Sequence, residues 1–114
     1  MTKVAFDLDG TLDSSEAIRD LARSLKKRGD KIIVLTGCHN FPVTDEDVAA
    51  KKAKLANLGV PYDKLKVFPN PPGRAKAKWC AKHNVALMVD NSMTNAQLAP
   101  AGTTVLVPWR TLAN

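Results

Sequence analysis

Two carboxylates spaced two residues apart, Asp7 and Asp9, end a short apolar stretch, Lys3-Val4-Ala5-Phe6, and run directly into Gly10-Thr11. An apolar run closed by turn residues reads as a buried strand of a parallel sheet, and open α/β folds bind ligands at the carboxyl edge of such strands. Burying one acid there is costly, and two would repel each other, unless a cation neutralises them. A hard divalent ion such as Mg2+ accepts clustered oxygen ligands and meets that need. Asp and Gly are also ordinary at a plain strand-to-turn exit, so the acids by themselves leave both readings open. Gly10 permits a sharp turn, and Thr11 adds a hydroxyl to brace it.

Other strand ends repeat the pattern. Thr36-Gly37 closes the run from Lys31 to Thr36. A hydroxyl followed by glycine at such an edge can bind a phosphate oxygen through side chain and backbone N–H, and it is also common turn chemistry. Asp90, followed by Asn91-Ser92, closes Ala86-Leu87-Met88-Val89. Lys76, Trp79, Cys80 and His83 are spaced to share one face of a helix. That turns Lys76 inward beside the sheet edge and leaves Lys78 on the other face with Lys82. Arg74, just ahead, is either a bidentate phosphate clamp or a solvated loop charge. His39, in the loop Cys38-His39-Asn40-Phe41-Pro42, reads as an exposed loop residue before it reads as a group acting on substrate.

The string Phe6-Asp7-Leu8-Asp9-Gly10-Thr11-Leu12 resembles motif I of the haloacid dehalogenase-like (HAD) superfamily of phosphohydrolases, an apolar run followed by D-x-D-G-T. Thr36, Lys76 and Asp90 resemble motifs II, III and IV in the same order, so the resemblance covers essentially the whole chain. It implies Asp7 as nucleophile, Asp9 as general acid/base, Thr36 with Gly37 as phosphate binders, and Lys76 as the charge opposite the nucleophile. It also implies Mg2+ held by Asp7, Asp90 and the backbone carbonyl of Asp9, with the three acidic side chains converging on one cation. Many members carry a second acid near the motif IV aspartate. This chain has Asn91, Thr94 and Asn95 there; Asn91 or Asn95 would supply an oxygen without charge, at a cost in metal affinity.

The activity implied is that of a phosphatase working through an aspartyl-phosphate, since dehalogenases lack the acid at Asp9. Members acting on small metabolites usually insert a cap domain after motif I or before motif III. Neither the segment before Glu16 nor Pro69 to Arg74 has room for one, which implies a bulky substrate or a cap from another subunit. The layout is also distantly similar to the phosphatase half of polynucleotide kinase/phosphatases, which makes a nucleic acid 3′-phosphate or a nucleotide the implied substrate. A catalytically weak or inactive phosphate-binding or regulatory module on the same scaffold is the alternative, motivated by the missing second acid.

The elements that must position these groups alternate. Asp13-Ser14-Ser15-Glu16 starts a helix whose apolar stripe is Ile18, Leu21, Ala22 and Leu25, with Lys26-Lys27-Arg28 in its last turn and Gly29 as its stop. Thr44 caps a second helix that runs to Gly59, with acids at its start and lysines along its length. Lys66-Val67-Phe68 predicts the third strand, the proline-rich Pro69 to Arg74 an irregular lead-in, Thr94 to Leu98 a short helix, and Thr103 to Val107 the fifth strand. Trp109 is suited either to stacking on a base or to packing on the core rim. Alternation of this kind predicts a parallel sheet with right-handed crossovers. The resemblance adds the strand order 5-4-1-2-3 in a Rossmann-like three-layer α/β/α sandwich with no cap.

At 114 residues and 45% hydrophobic content, the chain reads as a single globular domain, 1–114, rather than a disordered one. It has no apolar window of about 18 residues to span a membrane and no signal-peptide core. Two cysteines, Cys38 and Cys80, are too few for a disulfide framework. These features predict a soluble, cytoplasmic protein. A net charge of +6 favours an anionic substrate or partner.

Overall fold

A computed structural model describes residues 2–109. The elements are β1 (Lys3–Phe6), α1 (Glu16–Arg28), β2 (Lys31–Cys38), α2 (Asp45–Leu58), β3 (Lys64–Pro69), α3 (Gly73–His83), β4 (Leu87–Val89), α4 (Met93–Leu98) and β5 (Thr104–Leu106). All strand pairs are parallel, in the order β3-β2-β1-β4-β5. This is the expected 5-4-1-2-3 seen from the other edge.

The central strands are buried on both sides, which is why their sequences lack alternation. Val4, Phe6, Ile32, Val34 and Val89 face a core completed by Ile18 and Ala22 of α1 and Leu55 of α2. Ala5, Ile33, Leu35 and Met88 face the opposite core, closed by Cys80 and partly by Trp79 of α3. Local signals set the helix ends. Ser15 accepts the Ile18 N–H at 3.3 Å, and Thr44 and Asp47 form a reciprocal capping box. Both Cys38 and Cys80 are free thiols.

Several boundaries differ from the sequence expectation. β3 begins at Lys64, and β2 continues through Gly37 and Cys38, because the two strands pair along Thr36–Val67, Gly37–Phe68 and Cys38–Pro69. Pro69 is tolerated because β3 is an edge strand that needs no outward N–H partner at its end. Gly73 and Arg74, expected in irregular chain, lie in the first turn of α3, which opens when the Lys76 N–H reaches the Pro72 carbonyl at 2.9 Å. β4 and β5 are shorter than expected, three residues each. Trp109 packs on the core containing Val4 and Phe6 rather than standing free. The β3–α3 connection is only Asn70 to Pro72, so no cap occupies it. No helix among the described residues is long and apolar enough to cross a membrane.

Candidate active site

The carboxyl edges of the two central strands bring Asp7 and Asp90 together. The Asp7 N–H extends the ladder to the Val89 carbonyl at 2.9 Å, and the Asp90 N–H reaches the Leu106 carbonyl at 3.1 Å. Both acids therefore leave the sheet at neighbouring positions. Past Asp7 the chain winds through a wide turn in which the Leu12 N–H returns to the Asp7 carbonyl at 3.3 Å and the Asp13 N–H to Leu8 at 3.2 Å. Gly10 takes a left-handed φ of 82° inside it, and a Cβ there would come within 2.8 Å of the Asn91 amide.

Lys76 joins the acids from α3. Its ammonium donates to Asp7 Oδ1 at 2.8 Å and to Asp90 Oδ2 at 3.1 Å, with the lysine side chain 2% exposed and that of Asp90 fully buried. Lys78 is exposed on the far side of α3, so the face pattern of the helix decides between the two lysines. The remaining oxygens are also held. Thr11 Oγ1 donates to Asp7 Oδ2 at 3.1 Å and accepts the Asn91 N–H at 3.2 Å, tying the first strand end to the fourth. The Ser92 N–H and Asn95 Nδ2 both donate to Asp90, at 2.9 Å each. Among the described residues, no buried side-chain polar atom lacks a partner.

Charge does not balance in this cluster: two buried carboxylates share one ammonium. Burial pushes the Asp7 carboxyl up to about 6, against the pull of the Lys76 ammonium and with Asp90 adding to the rise. A buried site left with surplus negative charge and lined by oxygens suits a hard divalent cation. The residues present fit such an ion: Asp7 and Asp90 carboxylates, with the Asn91 amide lining the same cavity.

The third acid departs from the expected convergence. Asp9 turns its carboxylate away, toward α2, where Lys51 Nζ takes Oδ2 at 2.7 Å and Lys54 Nζ takes Oδ1 at 2.6 Å. Lys54 also pairs with Asp13 at 2.8 Å. Burial opposes ionisation of Asp9, but the Lys51 and Lys54 hydrogen bonds outweigh it and hold its pKa below the usual carboxylate range. Among the described residues no three His, Cys, Asp or Glu side chains cluster as a metal site. The Asp9 side chain is thus a rim group and not a member of the buried acid pair.

A cavity of roughly 690 Å3 opens over this edge, lined by Asp7, Asp9, Gly37, Lys76, Asp90 and Asn91 along with loop residues. Gly37 is a point of close approach, where a Cβ would fall 2.0 Å from Asn70 Oδ1. Thr36 is fully buried, and its hydroxyl faces Asp9 Oδ2 at 3.4 Å. His39 is exposed at the cavity mouth. Arg74 is exposed beside Lys78 and Leu98 and does not line the cavity. Both amides left open by the sequence border the cavity: Asn95 spends its NH2 on Asp90, and the Asn91 Oδ1 faces the Thr11 hydroxyl at 3.3 Å. Sequence reasoning missed Lys51, Lys54 and Asn70. The lysines read as ordinary helix-surface charges, and their shared face, i and i+3, was the signal available.

No protein-family pattern and no curated protein matches the chain. Solved structures do. A chain of the Pnkp1/Rnl/Hen1 RNA repair complex superposes with a TM-score of 0.70 at 18% identity, over 93% of this chain and 42% of that one. This chain thus spans less than half of that relative's length. A universal stress protein in complex with cAMP gives 0.60 at 12% identity, covering 92% and 95% of the two chains. The universal stress protein from Archaeoglobus fulgidus in complex with dAMP gives 0.59 at 15%, covering 92% and 97%. At such identities the likeness is one of architecture: this chain is a Rossmann-like α/β protein with a five-stranded parallel sheet.

Proposed function

We propose that this protein is a Mg2+-dependent phosphomonoester hydrolase of the HAD type, with Asp7 as its nucleophile. The observation that carries the proposal is the buried Asp7–Lys76–Asp90 cluster at the carboxyl edge, with its surplus negative charge. Asp7 is pinned through one oxygen by Lys76 and through the other by Thr11, which sets it for in-line attack on phosphorus. As the Asp7–phosphorus bond forms, the bond to the leaving oxygen breaks, and Asp9 delivers a proton to that oxygen. Asp9 then takes a proton from a water that attacks phosphorus, releasing phosphate and restoring Asp7. Mg2+, held by Asp7, Asp90 and Asn91, would supply positive charge to the transferring phosphoryl group. Lys76 and the backbone at Gly37 add to that stabilisation. In the resting protein both Asp9 oxygens are occupied by ammonium groups, so an incoming phosphate has to draw at least one of them away before Asp9 can take up from solvent the proton that it gives to the leaving oxygen. The uncovered cavity suits a phosphate projecting from a bulky substrate, a nucleotide or a nucleic acid end, and the likeness to the RNA repair chain agrees with that class.

Hydrolysis of p-nitrophenyl phosphate with Mg2+ tests the proposal. Activity is expected to vanish with EDTA and in Asp7→Asn; activity that survives either would reject it. A second reading, a phosphate- or nucleotide-binding module without turnover, is favoured by the amides Asn91 and Asn95 where a second acid would add charge. Tight phosphate binding with no hydrolysis of any phosphoester would establish that reading instead.

A further inference from the structure

The net charge of +6 is not spread evenly. The catalytic acids and the rim acids Asp9 and Asp13 are paired with lysines, and Glu16 and Asp20 with arginines of α1. Of the eight lysines with no carboxylate within 4.0 Å among the described residues, five gather elsewhere; Lys27, Lys52 and Lys78 are not among them. Lys3, Lys31 and Lys64 start the three neighbouring strands β1, β2 and β3. Lys66 follows on the same face of β3 as Lys64, since their partners Ile33 and Leu35 both point into the core under α3. Lys82 lies at the end of α3.

The positive charges of Lys3, Lys64, Lys66 and Lys82 all bear on the histidine of an aromatic pair. Trp79 and His83 stack with ring centroids 3.9 Å apart and planes 23° from parallel. Lys3, Lys31 and Lys64 line one notch with them, and Lys3 Nζ donates to the His83 carbonyl at 3.0 Å. The acid bordering the notch, Asp63, is already taken by Lys26 and by the Ile32 N–H at 2.8 Å. The notch therefore carries a surplus of positive charge beside two half-buried aromatic rings.

Position gives the patch a direction. β3 is the edge strand, and the residue after it, Asn70, lines the catalytic cavity. From Lys64 to Asn70 the strand covers about 20 Å at about 3.3 Å per residue. A stacked nucleic acid strand, with one charge per about 3.4 Å, would lay about six phosphates along it. We propose that Lys64 and Lys66, with Lys3, Lys31 and Lys82 around the Trp79–His83 stack, bind the backbone of single-stranded nucleic acid along β3. The delivery of its phosphorylated end to the cavity rests on the phosphatase reading; the binding itself does not.

Fluorescence anisotropy with labelled single-stranded DNA and RNA 10-mers tests this, free of any turnover. Wild-type protein is expected to bind with a steep salt dependence. Lys64→Gln/Lys66→Gln should weaken binding at least fivefold and flatten the salt slope by about 1.4, from about 0.7 per neutralised contact. Lys52→Gln/Lys78→Gln, two exposed lysines of α2 and of the far side of α3, is the control for net charge. A Lys31→Gln/Lys82→Gln variant serves if the first misfolds. Loss of binding in a β3 or amino-edge variant without loss in the control supports the site. No binding by wild type, equal effects in control and variants, or displacement by polyglutamate as effective as by oligonucleotide would each overturn it. Failure of p-nitrophenyl phosphate hydrolysis with oligonucleotide binding intact would reject the phosphatase reading alone.

Discussion

Replacing Asp7 by asparagine should abolish turnover and at the same time stabilise the metal-free fold. Burial raises the Asp7 carboxyl from its ordinary 3.8 to about 6. The folded protein therefore holds a proton there that the unfolded chain releases first. Between those values the native state loses stability as pH rises, and above the folded value the full cost is present. A shift of that size corresponds to about 3 kcal/mol, at about 1.36 kcal/mol per unit. Asparagine keeps the shape and removes the charge, leaving Lys76 paired with Asp90 alone. It also weakens the bonds to Lys76 and Thr11, each worth about 1 kcal/mol. The expected net gain is about 1–2 kcal/mol at about pH 7.5 in EDTA, shrinking to nothing or reversing near pH 4. Urea denaturation across that range measures it. Added Mg2+ should stabilise the wild type and do much less for the variant. A variant less stable than wild type at neutral pH, or a difference independent of pH, would refute the electrostatic account of the site.

Lys76→Met should cost about 3–5 kcal/mol, because it strands two buried carboxylates; Mg2+ should recover part of that loss in urea melts, and no loss would contradict the shared-ammonium geometry. In Lys51→Gln/Lys54→Gln, Asp9 loses the partners that hold its pKa down. Because Asp9 must carry a proton to give to the leaving oxygen, the alkaline limb of the kcat/KM profile should then move to higher pH, and an unmoved limb would show that Asp9 does not govern it. Gly37→Ala should drive Asn70 out of the cavity wall and cost about 1 kcal/mol, the low end for overpacking, since a flexible side chain yields. A raised KM with kcat little changed is the kinetic counterpart, and unaltered KM and stability would show that Asn70 has room to spare.

Much was legible in the chain because its signals are local. Ser15, Thr44, Gly29 and Gly59 mark helix ends through backbone chemistry that needs no distant partner, and they stand where the helices begin and end. Asp7, Thr36 and Asp90 each close an apolar run, and the carboxyl edge of a parallel sheet collects such residues by construction. The periodicity of α3 alone turns Lys76 inward and Lys78 out. Tertiary structure decided what depends on side chains far apart in sequence. Nothing near Asp9 shows that Lys51 and Lys54, from another helix, occupy both of its oxygens. Nor does the local pattern around Lys64 show that β3 starts there, since that start is set by pairing with Ile33. The direction of an exposed carboxylate and the register of an edge strand are settled by neighbours across space. A sequence read along one dimension carries the periodicity of its elements, while the charges that meet at their ends are assembled only when the sheet closes.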